Sequence, residues 1–366
     1  MRTHICLAAA AALVILPPSV EACDLHAIYT AFESRKLEAG SWHLGVAEQY
    51  TAYDELRDEG GRIDNVANQF LRSSTTQLMV ARDISDTVAL QLNLPLHYRA
   101  YRRIEDGSVA PGHESGLGDL VLSTRWRPIE RFNGDTSLRL ELLAGIKLPT
   151  GDSDRLREEL GEHHGDDDIG DGGHGDHGDH TEEGDHTDHG GHADHAMEDG
   201  HMLPHLRHGG EDHGDDLVSA VHGHDLALGS GSVDFPLGLS FLARRDRLFG
   251  TAMVQYVIRT SGSYDYRYAS DLAWETGVGA YVALADDYSV AAKVNVSGEY
   301  KPKDSLDGND LSDTYRRTVY VGPELLVSVG DTLAGELGLD VPVDTEVKDV
   351  MVTQTIRARA ALTWRF

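Results

Sequence analysis

Cysteine is almost missing from this chain. Cys6 and Cys23 are the two present in 366 residues. Cys6 lies in the leading segment, so no intrachain disulfide framework can brace the rest. Positive charge is also short. Lys and Arg number 32 against 61 Asp and Glu, which leaves a formal net charge of −29. Such a field repels phosphate, which excludes nucleic acid as a partner, and it attracts cations. Past the first 22 residues no run of 18 apolar residues occurs, so the sequence offers no helix able to cross a bilayer. A G-x-S-x-G elbow between strand and helix is lacking as well, no catalytic constellation stands out, and an enzyme is not expected.

The N-terminus is built like an export signal. Arg2 supplies a positive start, Leu7 to Leu16 an apolar core, and Val20-Glu21-Ala22 a small-residue cleavage site. Residues 1–22 are therefore expected to be a signal peptide. Cys23 then heads the mature chain, which leaves a lipid anchor open, although Glu21 suits a lipobox poorly. Cys23 and His26 form a C-x-x-H pair, half a metal site at best. Residues 23–41, partly apolar, are expected to form a periplasmic or plug segment.

The remainder alternates with period two. Val88, Leu90, Leu92, Leu94, Leu96 and Tyr98 share one face of a strand, while Gln91, Asn93, His97 and Arg99 share the other. Leu138 to Leu148 and Thr355 to Phe366 repeat the pattern, the latter with Arg357, Arg359 and Arg365 on its polar face. Three arginines on one face suit a wet lumen, not a dry core. Twelve strands are expected, at 42–53, 72–83, 87–103, 117–128, 136–149, 232–244, 248–262, 269–284, 288–300, 316–329, 332–343 and 352–366. Short turns alternate with long connections at 54–71, 104–116, 150–231, 263–268, 301–315 and 344–351. Long strands in even number, with short turns on one side and long loops on the other, describe an all-β fold: a transmembrane antiparallel β-barrel of about 12 strands over residues 42–366. Trp42, Tyr98, Trp126, Trp274 and Trp364 fall near strand ends on the apolar face, where interface girdles belong. Asn93, Arg99, Arg125, Arg139, Glu141, Lys147, Glu275, Lys293, Arg357 and Arg359 are the expected lumen-lining residues.

The longest connection has its own composition. From His174 to His201 a titratable side chain recurs every third residue, separated mostly by Gly, Asp and Glu. Between Asp152 and Asp225, 23 Asp and Glu stand against three Arg and no Lys. Residues 153–224 read as a disordered His/Asp/Gly-rich extracellular loop, since they hold too little apolar surface to fold. Fifteen histidines are candidate metal ligands: His163, His164, His174, His177, His180, His186, His189, His192, His195, His201, His205, His208, His213, His222 and His224. Neutral imidazole suits zinc, copper, nickel and cobalt, and carboxylates can complete the shell.

Gly116-Leu117-Gly118-Asp119-Leu120, Ala144 to Asp152 (AGIKLPTGD) and Leu228 to Phe235 (LGSGSVDF) resemble a family of outer-membrane β-barrels described as transporters of the MetA pathway of phenol degradation. That family is distantly similar to long-chain fatty-acid channels. The terminal Ala360 to Phe366 is similar to the last strand of many outer-membrane proteins, whose final Phe helps targeting to the assembly machinery. The resemblance covers most of the chain after about residue 40. It implies a channel in the cell outer membrane of a Gram-negative bacterium, with lipid, small solutes and the outer-membrane assembly machinery as partners. The chain departs from the pattern between LPTGD and LGSGS, where it carries the histidine insertion.

The expected function is a passive outer-membrane channel whose histidine loop captures divalent transition metals, with no cofactor required. Two alternatives stay open: a channel for small hydrophobic or aromatic compounds with an incidental loop, and a surface metal-buffering protein with no transport.

Overall fold

The computed structural model describes residues 37–162 and 218–366. The expected signal peptide, most of the expected plug segment and thirteen of the fifteen candidate histidines lie outside the described residues.

Twelve long strands form one closed antiparallel sheet. They are β1 (Trp42–Asp58), β2 (Phe70–Asp83), β3 (Val88–Glu105), β4 (Leu120–Asn133), β5 (Thr136–Leu148), β6 (Phe235–Arg245), β7 (Leu248–Ile258), β8 (Asp271–Leu284), β9 (Tyr288–Lys301), β10 (Arg316–Val329), β11 (Leu333–Val347) and β12 (Met351–Arg365). Each pairs with its sequence neighbours, and β1 pairs with β12 from His43 opposite Arg365 to Arg57 opposite Met351. That last seam removes both sheet edges, as lipid requires of any spanning sheet. All twelve strands coincide with the expected ones to within a few residues.

Strand alternation sorts the side chains. Leu44, Leu92, Leu122, Leu239, Val294 and Leu337 point outward and are exposed, while Asn93, Arg125, Glu141, Lys293 and Arg359 point inward and are buried. Trp42, Trp126 and Trp364 lie outside at the short-turn end, and Tyr98 lies outside toward the other. Glu48 departs from the pattern. It sits on the outer face of β1, and the hydroxyls of Ser74 and Thr76 on β2 donate to its carboxylate.

Two expectations about the long connections are corrected. Residues 104–116 were expected to be a loop, but Ser108–Leu117 is a strand that folds back along the upper half of β3, from Glu105 opposite Ser108 to Leu96 opposite Leu117. The lower half of β3 pairs instead with β4, and the chain crosses between the two at Gly118-Asp119. The ends of the insertion, expected to be disordered from 153 to 224, are also ordered where described. Asp154–Arg157 forms a 3-10 turn, Glu159–Glu162 and Gly223–Leu226 each form one α-helical turn, and 218–231 runs inward. Ala220, Val221 and Leu226 are fully buried against Leu56, Leu71, Tyr101 and Val352 of the wall. These few apolar residues sit in a stretch dominated by Gly, Asp and His, so composition hid them.

An arginine at position 92 would face hydrocarbon. Leu92→Arg should cost about 2–4 kcal/mol if the site is near the bilayer midplane. The loss should appear as a lower urea midpoint for the heat-modifiable folded band on gels. An unchanged midpoint would contradict the outward placement of Leu92.

Candidate functional site

The interior charges occur as pairs. On β4 and β5, Glu141 accepts from Arg125 at 2.7 Å and from Arg127, while Arg139 binds Glu130 at 2.8 Å. Across the barrel Lys293 contacts Glu275 at 3.1 Å and Glu324 at 2.8 Å. Arg359 reaches Glu275 at 3.3 Å and Asp340 at 3.2 Å, and Asp340 also receives Arg357 at 3.1 Å. Arg357 pairs with Glu299 and lies over the Tyr320 ring, 4.1 Å from its centroid. The expectation of loose polar groups in a wet lumen is thus only half the arrangement. Side chains this buried lose their hydration, so each cation recruits a carboxylate. Sequence reading missed Arg127, Glu130, Glu299, Glu324 and Asp340; all but Glu130 lie on the inward parity of their strands, which is the signal that could have found them, whereas Glu130 turns inward only through the bulge between Trp126 and Ile129.

A second cluster explains the three motifs. Lys147 of β5 contacts Asp119 at 2.8 Å, Asp234 at 2.7 Å and the Ser230 hydroxyl at 2.6 Å. Asp119 accepts in turn from the backbone amides of Gly151 at 3.0 Å and Ser230 at 2.9 Å. Arg259 bridges Asp234 at 3.1 Å and Asp271 at 2.5 Å. Residues 116–119, 147–152 and 228–234 therefore lock into one clip. Its backbones touch so closely that a Cβ on Gly151 would lie 2.6 Å from the Leu228 carbonyl oxygen, and one on Gly229 would lie 2.6 Å from Gly151. Only glycine fits either place.

The clip delivers residues 218–231 across the barrel. Arg99 of β3 donates to the carbonyls of Asp225 and Ala227 at 2.7 and 2.6 Å. Gln69 holds both sides of the entry, accepting from the Ala220 amide and donating to the Val218 carbonyl, each at 2.9 Å. The Tyr268 hydroxyl donates to the His224 carbonyl at 2.9 Å. Beneath this ceiling lies a cavity of about 220 Å³. Gln49, Thr75, Gln77, Asn93 and His97 line it together with Tyr53, Leu71, Val257, Tyr268 and Tyr320, and residues 224–230 close its top.

Both described histidines of the insertion belong to this ceiling and are buried. The His224 amide donates to Glu159 at 2.7 Å, and its Nδ1 lies 3.0 Å from the same oxygen. Burial favours neutral imidazole at His224, but Asp225 and Glu159 overcome it and raise the pKa to about 10. Burial likewise works against charge on Glu159, yet His224 pulls its pKa down to about 2. The His222 ring stacks parallel on His224, with centroids 5.5 Å apart, and its Nδ1 lies 3.6 Å from Asp313. The fifteen histidines that composition groups together thus include at least two with a folded environment. Of the ten expected lumen residues, all take the inward face: eight sit in the pairs just described, Arg99 holds the ceiling, and Asn93 donates to Gln77 at 3.1 Å.

Asp119→Asn should loosen the clip. A lost hydrogen bond to a charged group is worth about 1.5–3 kcal/mol, or roughly ten- to a hundredfold more opening. Limited trypsin digestion should then cut after Arg155 and Arg157 faster by that factor. Equal cutting rates would show that Asp119 does not hold the segment.

No family profile matches the sequence. No curated protein matches it either. The structure is similar to a solved outer-membrane channel from Pseudomonas putida F1, with a TM-score of 0.57 and 14% identity over 91% of this chain and 97% of that one. Weaker likenesses include the beta domain of the Bordetella autotransporter BrkA (TM-score 0.41, 12% identity, 90% of this chain and 100% of that one) and a mutant of the TodX monoaromatic hydrocarbon channel (TM-score 0.37, 9% identity, 96% of both). The closed seam, the outward apolar belt and the inward charges, together with the first of these likenesses, establish the chain as a twelve-stranded outer-membrane β-barrel.

Proposed function

We propose that this barrel is a passive channel for small organic solutes that combine an apolar or aromatic body with a polar group. The observation that carries this reading is the mixed lining of the cavity under the ceiling. Tyr53, Leu71, Val257, Tyr268 and Tyr320 offer apolar surface, and Gln49, Thr75, His97 and Arg357 offer hydrogen bonds. Small-molecule sites are built this way, with apolar walls and a few polar groups that fix orientation. The size agrees, since an engineered protein cavity of about 150 Å³ accepts benzene. The mixed-sign, mutually paired charges favour no strong selection for either ion. Passage requires the ceiling to move, which means breaking the apolar contacts of Ala220, Val221 and Leu226 with the wall and the bonds of Arg99, Gln69 and Tyr268 to its backbone.

A second reading gives the histidine-rich stretch a task of its own. It would gather divalent transition metals at the long-connection end, from which it leaves and to which it returns. Its repeated H-x-x-H spacing supports this. A ceiling that never opens would turn the whole protein into a surface metal buffer.

Reconstituted barrels should admit phenol-sized solutes into liposomes faster than disaccharides, and Arg99→Ala should raise the single-channel conductance in planar bilayers by loosening the ceiling. Equal permeation of both solute classes would sink the organic-solute reading. Conductance at the membrane baseline in wild type and Arg99→Ala alike, with zinc still bound, would favour the metal buffer.

A further inference from the structure

We propose that Glu159, His224 and Asp313 form a specific site for one divalent transition metal, which staples the inserted segment to the barrel. The inference goes beyond metal capture by the histidine-rich stretch, because the three residues come from three separate parts of the ordered fold. Glu159 lies on the segment after the clip, His224 on the ceiling, and Asp313 in the connection between β9 and β10. Nothing in the sequence joins Asp313 to the histidines; it stands 89 positions beyond His224.

The three side chains converge on one point of the ordered fold. One ligand atom from each residue lies within 4.8 Å of the others. His224 Nδ1 lies 3.0 Å from Glu159 Oε1. Zinc bonds of about 2.0–2.2 Å place tetrahedral ligand atoms roughly 3.3–3.6 Å apart, so ligand atoms within 4.8 Å must draw together by up to about 1.5 Å to share an ion. Glu159 is fully buried and His224 nearly so, while Asp313 is partly buried. Glu159 Oε2 and Asp313 Oδ1 are buried with no hydrogen-bond partner among the described residues. Carboxylate oxygens left this way are costly unless a cation takes them up.

The surroundings fit as well. Asp225 Oδ1 lies 3.6 Å from His224 Nε2, on the far side of the ring from the proposed ion. That distance is too long for a hydrogen bond, but the nearby negative charge favours a cation at this ring. His222 stacks on the His224 ring and approaches Asp313 at 3.6 Å, which makes it a positioning residue. One imidazole and two carboxylates suit zinc or cobalt, with water in the remaining position.

The test uses the full chain in detergent. Zinc is titrated against a competing chelator strong enough to strip the weak sites of the histidine-rich stretch. Wild type should retain one tight equivalent per chain. Glu159→Gln, His224→Ala and Asp313→Asn should each weaken that equivalent by roughly a hundredfold or more, since even outer partners of a ligand are worth about ten- to a hundredfold. His189→Ala, within the repeat, should leave it intact. Asp313→Asn is the decisive variant, because Asp313 is the least buried of the three and its loss spares the packing around Glu159. Heat-modifiable migration on gels checks folding of each variant. The proposal is overturned by the absence of a tight equivalent in wild type, by its survival in folded Asp313→Asn, or by its loss in His189→Ala. Titration without the chelator reads the weak equivalents separately, so failure of the staple and failure of capture by the histidine-rich stretch give different curves.

Discussion

A backbone amide facing hydrocarbon has no water to bond. The arrangement of this molecule follows from that constraint. It forces the sheet to close, and closure is achieved by setting β12 beside β1 along nearly their whole length. Closure then splits every strand into an outer and an inner face. The outer face takes Leu, Val and aromatic residues. The inner face collects the polar residues, in a barrel narrow enough that most of them lose contact with bulk water. Pairing follows, because a buried charge without a partner costs far more than the pair returns. The ladders from Arg125 to Glu141 and from Lys293 to Glu324 and Arg359 are consequences of closing the wall.

The same economy shapes the inserted segment. Its backbone meets a strand at one point, where the Ala220 carbonyl accepts from the Val352 amide, so several of its other carbonyls and amides need side-chain partners. Arg99, Gln69 and Tyr268 supply them, and Lys147 with Asp119 fixes the point of entry. The glycines of the motifs permit the approach and the charged residues hold it. The resemblance noted from GLGD, LPTGD and LGSGS therefore has a physical content: the three stretches are parts of one clip.

Most of the wall was legible in the sequence because each strand carries its own period-two signal. Leu90 through Tyr98, or Leu138 through Leu148, declare orientation without outside help. The ceiling was not legible. Arg99 and Asp225 are 126 positions apart, and Gln69 and Val218 are 149 apart. Each helical turn spans four residues, too few to show a period. Composition also misled, since His222 and His224 close a histidine-rich stretch yet pack like core residues. The return strand Ser108–Leu117 escaped for another reason. Its Gly, Pro, His and Glu read as a loop, and its strand character comes from the extension of β3 that it pairs with.

Residues 218–231 form a folded ceiling inside the barrel. Amide hydrogen exchange on the reconstituted protein tests it most directly. Hydrogen-bonded amides of Ala220, His224 and Ser230 should exchange at least about a hundredfold more slowly than unstructured peptide. Exchange of those amides at the unstructured rate, with β1 and β12 still protected, would contradict the account.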